Sequence, residues 1–252
     1  MKIIEVKNLT KQYGGFQGSK GVAALDGVNL TTQAGDFIGV MGPSGSGKTT
    51  LLNVLSGVDN ATDGEILIEG KDMAKMQRDD LALFRRRKIG YIFQDFNLLD
   101  SLTVKENIAL PLILDKVPPK EVENRVREVL TFFGISEISK KYPYYVSGGQ
   151  KQRAAAARAL IPNPAIIFAD EPTGNLDSKS SANVMQMLSD MNKERGATIL
   201  MVTHDAFAAS WCKRIIFIKD GKIYSEIHSS GNRKDFFDKI LESLHVVEGE
   251  VQ

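Results

Sequence analysis

Gly42-Pro43-Ser44-Gly45-Ser46-Gly47-Lys48-Thr49 lies between the apolar run DFIGVM (36–41) and the helix-like TTLLNVLSG (49–57). These eight residues fill every fixed position of GxxxxGK[ST], in the strand, loop and helix setting that gives the pattern its meaning. The glycines let consecutive backbone N–H groups turn inward around an anion, and the helix N-terminus adds partial positive charge. The reading predicts a phosphate cradle of Gly42, Ser44, Gly45, Ser46 and Gly47. Lys48 reaches β- and γ-phosphates, Thr49 offers its hydroxyl to Mg²⁺, and Thr50 completes the helix start.

Outward from that loop, residues 1–9, 25–41 and 65–69 (EILIE) alternate or run apolar in short blocks, which predicts a strand-rich N-terminal part. Tyr91-Ile92-Phe93 reads as another buried strand ending at Gln94, after which the spacing turns helical. Val122, Val126, Val129, Leu130 and Phe133 share one helical face behind Pro118-Pro119, so a helical insert is expected over about 95–160. AIIFA (165–169) and TILMV (198–202), separated by a helical stretch near 179–194, imply parallel strands covered on both faces. Asp220-Gly221 between two apolar runs predicts a hairpin, making the sheet mixed at its edge. In the tail, Phe236, Phe237, Ile240, Leu241 and Leu244 form a stripe that either packs onto the domain or meets a partner.

Chemistry-bearing residues fall at the ends of these strands. Asp170 closes its strand at the edge where nucleotide sites form and suits Mg²⁺ coordination through water. Glu171 follows and would orient or deprotonate a water aimed at the γ-phosphorus. An acidic pair there also suits helix capping, but beside a phosphate loop the chemical reading prevails. His204 follows another strand, where an imidazole could touch a γ-phosphate oxygen. Gln94 carries an amide able to touch both Mg²⁺ and attacking water.

Composition narrows the class further. Of 252 residues, 42% are apolar and 25% charged, near globular averages, which argues against disorder, collagen and coiled coil. With 32 basic against 31 acidic residues the net charge is +1, so no global field recruits nucleic acid. A lone Cys212 excludes an intrachain disulfide and a multi-cysteine metal cluster, and the opening MKIIEVKNLT carries no apolar signal segment, so the cytosol is the expected compartment. The longest clean apolar run, Ile108 to Leu114, has seven residues including Pro111, against roughly 20 for a spanning helix.

Val146-Ser147-Gly148-Gly149-Gln150, followed by KQRAAAARAL, carries the family resemblance. With the phosphate loop before it and Asp170-Glu171 after it, the chain resembles the nucleotide-binding subunits of ABC transporters from about residue 3 to 228. The resemblance implies an α/β fold: a RecA-like P-loop NTPase core with an N-terminal antiparallel β subdomain and an inserted α-helical subdomain. Its expected divisions are a 1–228 ATPase domain (1–94 and 161–228 core and β subdomain, 95–160 helical subdomain with the signature) and a 229–252 helical tail. It also implies ATP and Mg²⁺ as cofactors and a head-to-tail homodimer sandwiching two ATP, with Ser147, Gly148, Gly149 and Gln150 facing the partner's nucleotide. Physically, these residues open a helix and so form a second anion site. Carried over onto this chain, Tyr13 is the adenine-stacking aromatic, with Phe16 in reserve; Thr49, Gln94 and Asp170 hold the metal; Glu171, His204 and Gln94 act in catalysis; and Asp177 lies in the loop crossing the dimer.

Within that family, GYIFQDFNLLDSLTVKENI, YPYYVSGGQKQR and FADEPTGNLDSKS look most like ATPases of bacitracin-type peptide-antibiotic resistance transporters, in the macrolide-export and lipoprotein-release superfamily. The resemblance implies ATP hydrolysis that powers a separate transmembrane permease from the cytoplasmic face of the membrane, with a membrane sensor kinase as a further partner. A permease helix would dock near 94–103, where Phe96, Leu98 and Leu99 either line its groove or pack the helical insert. The run Arg85 to Lys88 is either a solvated face or a contact for anionic head groups or permease acids. The alternatives are an ATPase of lipoprotein release, macrolide export or cell division, or a soluble ABC protein without a permease. The latter carry two cassettes or long coiled coils, and this chain has neither.

Overall fold

A computed structural model describes residues 1–14 and 21–249, without the side chain of Glu248. In chain order the strands are β1 (Lys2–Tyr13), β2 (Val22–Gln33), β3 (Phe37–Met41), β4 (Asp63–Ile68), β5 (Lys71–Asp72), β6 (Ile89–Ile92), β7 (Ile166–Asp170), β8 (Ile199–Val202), β9 (Arg214–Lys219) and β10 (Lys222–His228). The helices are α1 (Lys48–Leu55), α2 (Arg78–Lys88), α3 (Val104–Leu114), α4 (Pro119–Phe132), α5 (Gly148–Leu160), α6 (Ser178–Arg195), α7 (Ala206–Ala209) and α8 (Arg233–Gly249).

Two sheets form. An antiparallel one runs β2-β1-β4-β5, and a second runs β10-β9-β3-β8-β7-β6. In the second sheet every pairing from β9 to β6 is parallel and only β10 is antiparallel. All five residues of β3 (FIGVM) and all four of β8 (ILMV) are buried, as a parallel strand covered on both faces requires. The exposed edge strand β10 instead alternates exposed and half-buried residues. Its hairpin with β9 turns on Asp220 and Gly221, both at positive φ (50° and 76°), as a tight primed turn needs.

One apolar cluster joins the antiparallel sheet and α1 to one face of the parallel sheet, through Leu9, Leu25, Leu52, Phe168 and Leu200. The other face packs against the helical part and the C-terminal helix through Phe37, Ile108, Val126, Met185, Phe217 and Ile240. The tail therefore packs onto the domain. Phe236 and Ile240 are buried, Phe237 and Leu244 partly so, and Leu241 points to solvent, with buried Val247 extending the stripe in its place.

The structure adds details that the sequence reading left open. The block 25–41 divides at the Ala34–Gly35 turn into β2 and β3, which belong to different sheets. Helix α2 has no apolar stripe to announce it, burying only Phe84. The basic run at its end is neither a bare solvated face nor a lone patch: Arg86 donates to the Leu114 carbonyl (2.7 Å), Arg87 pairs with Asp115 (2.8 Å) and Lys88 with Glu69 (2.7 Å). Leu98 packs on the core, Phe96 is half-buried and Leu99 is exposed. No helix among the described residues is long and apolar enough to cross a membrane.

Candidate active site

The order β3-β8-β7-β6 sets four consecutive strand ends side by side. β3 runs into the phosphate loop, β8 into His204, β7 into Asp170 and Glu171, and β6 toward Gln94, two residues past its end. Register pairs Val40 with Val202, Asp170 with Val202, and Ile92 with Ala169, so the four exits are level. Residues more than a hundred positions apart in sequence thus share one sheet edge, the site that open α/β sheets favour for ligands.

The loop is shaped by glycines that no other residue replaces. A Cβ on Gly42 (φ 151°) would lie 2.0 Å from the Ile218 carbonyl oxygen, and one on Gly47 (φ 103°) 2.3 Å from that of Ala24. Gly47 is the N-cap of α1 and offers no side chain to cap the first N–H groups of that helix. Lys48 donates to the carbonyls of Gly42 (2.9 Å) and Pro43 (2.8 Å), holding its ammonium across the loop. Burial lowers its pKa, with the charge of Glu171 acting in the opposite sense. Ser44, Gly45 and Thr49 are exposed, Thr50 is half-buried, and Ser46 is buried with its hydroxyl unpartnered.

Asp170 is half-buried, and burial, then the charge of Glu171, pushes its carboxyl pKa up. Glu171 itself holds φ 44°, a left-handed backbone rare for a non-glycine residue and often found at functional sites. Its amide donates to the Val202 carbonyl (3.0 Å), and its carboxylate lies 3.0 Å from Nδ1 of the exposed His204. The side chain of Gln94 lies against Gly174, whose amide donates to the Glu171 carbonyl (2.9 Å). Glu171, Gly174, Leu176, His204 and Phe207 border a cleft of about 490 Å³.

Tyr13 arrives from the other sheet, 43% exposed. Its hydroxyl donates to Asp59 (2.6 Å) and the Lys11 ammonium sits 4.7 Å from its ring centre. The bond to Asp59 raises the phenol pKa, and Thr50 of α1 is close enough to oppose it. The reserve aromatic, Phe16, lies outside the described residues.

The signature residues open α5. Ser147 caps α5 in a reciprocal box: its Oγ accepts from the Gln150 amide (3.3 Å) and Gln150 Oε1 accepts from the Ser147 amide (3.0 Å). Gly148 and Gly149 face Leu176 and Ser180, at the entry to α6, and Asp177 caps α6 through the Ser180 amide (3.0 Å).

Sequence reading missed the supports. Gln152 is fully buried in α5 and donates to the Pro172 carbonyl (2.8 Å), tying the signature helix to the residue after Glu171. Arg158 holds the carbonyls of Phe96 (3.0 Å) and Asn97 (2.6 Å), two successive left-handed residues just past Gln94. Gln152 was detectable: it shares a helical face with Ala155, Ala156 and Ala159, all buried, so a polar group there needs a partner. Asp59 and Arg158 carry no such signal.

The pattern of the family described as ABC transporter matches residues 25–174. An uncharacterized ABC transporter ATP-binding protein of Bacillus subtilis, YvcR, is 54% identical over 99% of this chain and 96% of its own. The bacitracin export ATP-binding protein BceA of Halalkalibacterium halodurans is 50% identical over 99% of this chain and 98% of its own. Among solved structures, the dimeric post-hydrolysis state of the cassette MJ0796 bound to ADP and Pi superposes with a TM-score of 0.81. It is 41% identical, covering 91% of this chain and 100% of that one. The parallel-sheet edge, the match across the middle of the chain and full-length identity near one half place this chain in the ABC transporter family.

Proposed function

We propose that this chain is the ATP-hydrolysing subunit of a membrane transporter that protects a cell against peptide antibiotics. The single observation that carries the ATPase part is the level convergence of Lys48, Asp170, Glu171 and His204 on one parallel-sheet edge. Full-length similarity to a bacitracin export subunit supports the finer assignment. In this reading the division is a core of 1–94 and 161–228, a helical unit of 95–160 that carries Ser147, and a tail from 229.

The residues present suit Mg²⁺: Asp170 carries a desolvated carboxylate that a cation would relieve, and Thr49 and Gln94 supply neutral oxygens near the same edge. The ion, when bound, neutralises charge on the β- and γ-phosphates. The chain's own groups do the rest. The loop amides and Lys48 bind the phosphates, and the Tyr13 ring stacks the base. Glu171 holds the attacking water and takes its proton, while His204 steadies that carboxylate through the 3.0 Å contact. Catalysis here is positioning and electrostatics, so water excluded by a closing partner subunit matters as much as any single group. Ser147, Gly148 and Gly149 of one subunit complete the phosphate site of the other, giving a homodimer on the cytoplasmic face of a separate permease. A membrane sensor kinase is a second proposed partner.

Glu171→Gln tests the chemistry: hydrolysis should fall at least about a hundredfold while ATP drives the variant from monomer to dimer in gel filtration. Normal turnover would remove Glu171 from the role of base. The same variant, tagged and drawn from detergent-solubilised native membranes with ATP, should bring a multi-span permease; ribosomal or DNA-bound partners in its place would overturn the transport assignment and leave the ATPase.

A further inference from the structure

We propose that Arg233, the first residue of α8, is a positioning residue for hydrolysis, holding His204 in register with Glu171 through α7. The inference rests on the ATPase reading above and gives the C-terminal helix a part in it. The Arg233 guanidinium lies 4.3 Å from the ring centre of Trp211 and 5.8 Å from that of Phe207. The two rings stand edge to face at 6.4 Å, so one cation is shared by an aromatic pair.

Phe207 belongs to α7, which begins two residues after His204, and it borders the same cleft as Glu171 and His204. The connection between ring and imidazole is stiff. The Phe207 amide donates to the Asp205 carboxylate (2.8 Å), the Asp205 amide donates to Thr203 Oγ1 (3.0 Å), and Ser210 Oγ donates to the Phe207 carbonyl (2.7 Å). His204 sits inside that locked turn but is itself largely exposed, its Nδ1 lying 3.0 Å from the Glu171 carboxylate. Its aim therefore depends on where the turn is set.

Arg233 is exposed, and a cation on a surface ring does not hold a helix in place by itself. Here the dependence runs the other way: Phe236 and Ile240 bury α8 in the core, and the helix carries Arg233 to the rings. Trp211 supports this direction, since its indole nitrogen is buried without a hydrogen-bond partner, leaving the ring to act through its face.

The test uses purified full-length protein. Arg233→Ala should lower kcat roughly two- to fivefold with ATP affinity unchanged, because the phosphate loop and Tyr13 lie on other elements. Arg233→Lys, which keeps a cation over the rings, should restore at least half of the rate. The His204 ring resonance, assigned by its loss in His204→Ala, should move in Arg233→Ala and return in Arg233→Lys. An unchanged kcat, a lysine variant as slow as the alanine one, or an unmoved His204 resonance each overturns the proposal. A wild-type chain that binds ATP yet never hydrolyses it would instead refute the ATPase reading itself.

Discussion

Asp170 shows how a site is kept at a cost to the fold. Burial and the neighbouring Glu171 raise its carboxyl pKa, so the folded protein disfavours the ionised form. For a raised acid the sign is clear: near neutral pH the charge subtracts from stability, and the penalty fades as pH falls through the folded pKa. Asp170→Asn should raise the nucleotide-free Tm by about 2 °C at pH 7, shrink that gain below the raised pKa, and abolish Mg²⁺-dependent hydrolysis. Calorimetry at two pH values with a phosphate-release assay checks all three. Gly42→Ala should act oppositely: its Cβ would stand 2.0 Å from a backbone oxygen of β9. Loss of more than about 2 kcal/mol of stability in urea melts is expected, with nucleotide binding lost too.

Two helices open with the same device and should separate structure from function. Thr103 and Glu106 form a capping box on α3, as Ser147 and Gln150 do on α5. Each of Thr103→Ala and Ser147→Ala should cost about 1 kcal/mol, a Tm drop of about 2–4 °C. Only Ser147→Ala should also cut hydrolysis, because its helix end faces the partner's nucleotide in the proposed dimer. Equal losses of rate in both variants would reduce the signature to a cap. The α5 helix has a second tie to this region in Gln152, buried with its amide on the carbonyl of Pro172, the residue after Glu171.

At the scale of the whole molecule, the phosphate loop follows β3 while Ser147 caps α5, whose first glycines face the entry to α6, and in the proposed head-to-tail pair the loop of one subunit meets the Ser147 end of the other. A mixture of Lys48→Ala and Ser147→Ala subunits should therefore regain activity that neither homodimer has. Random pairing gives one intact composite site in half the dimers, about a quarter of wild-type turnover; no recovery in a phosphate-release assay would contradict a head-to-tail pair. The phosphate loop, Asp170-Glu171, the parallel strands and the hairpin at Asp220-Gly221 were legible in sequence, because their chemistry is local: backbone turns, buried apolar runs and strand-end positions are set by neighbours in the chain. Helix α2 was not legible, since it buries a single aromatic and owes its place to contacts with α3 and Glu69. The same holds for the Tyr13–Asp59–Lys11 group, the grip of Arg158 on Phe96 and Asn97, and Arg233 over Trp211. Sequence alone marked which residues are the candidates for phosphate chemistry and which strands hold them. Only the tertiary structure decided how those residues are aimed, because aim depends on charges and rings that meet across 22 to 62 positions of chain and leave no periodic trace in it.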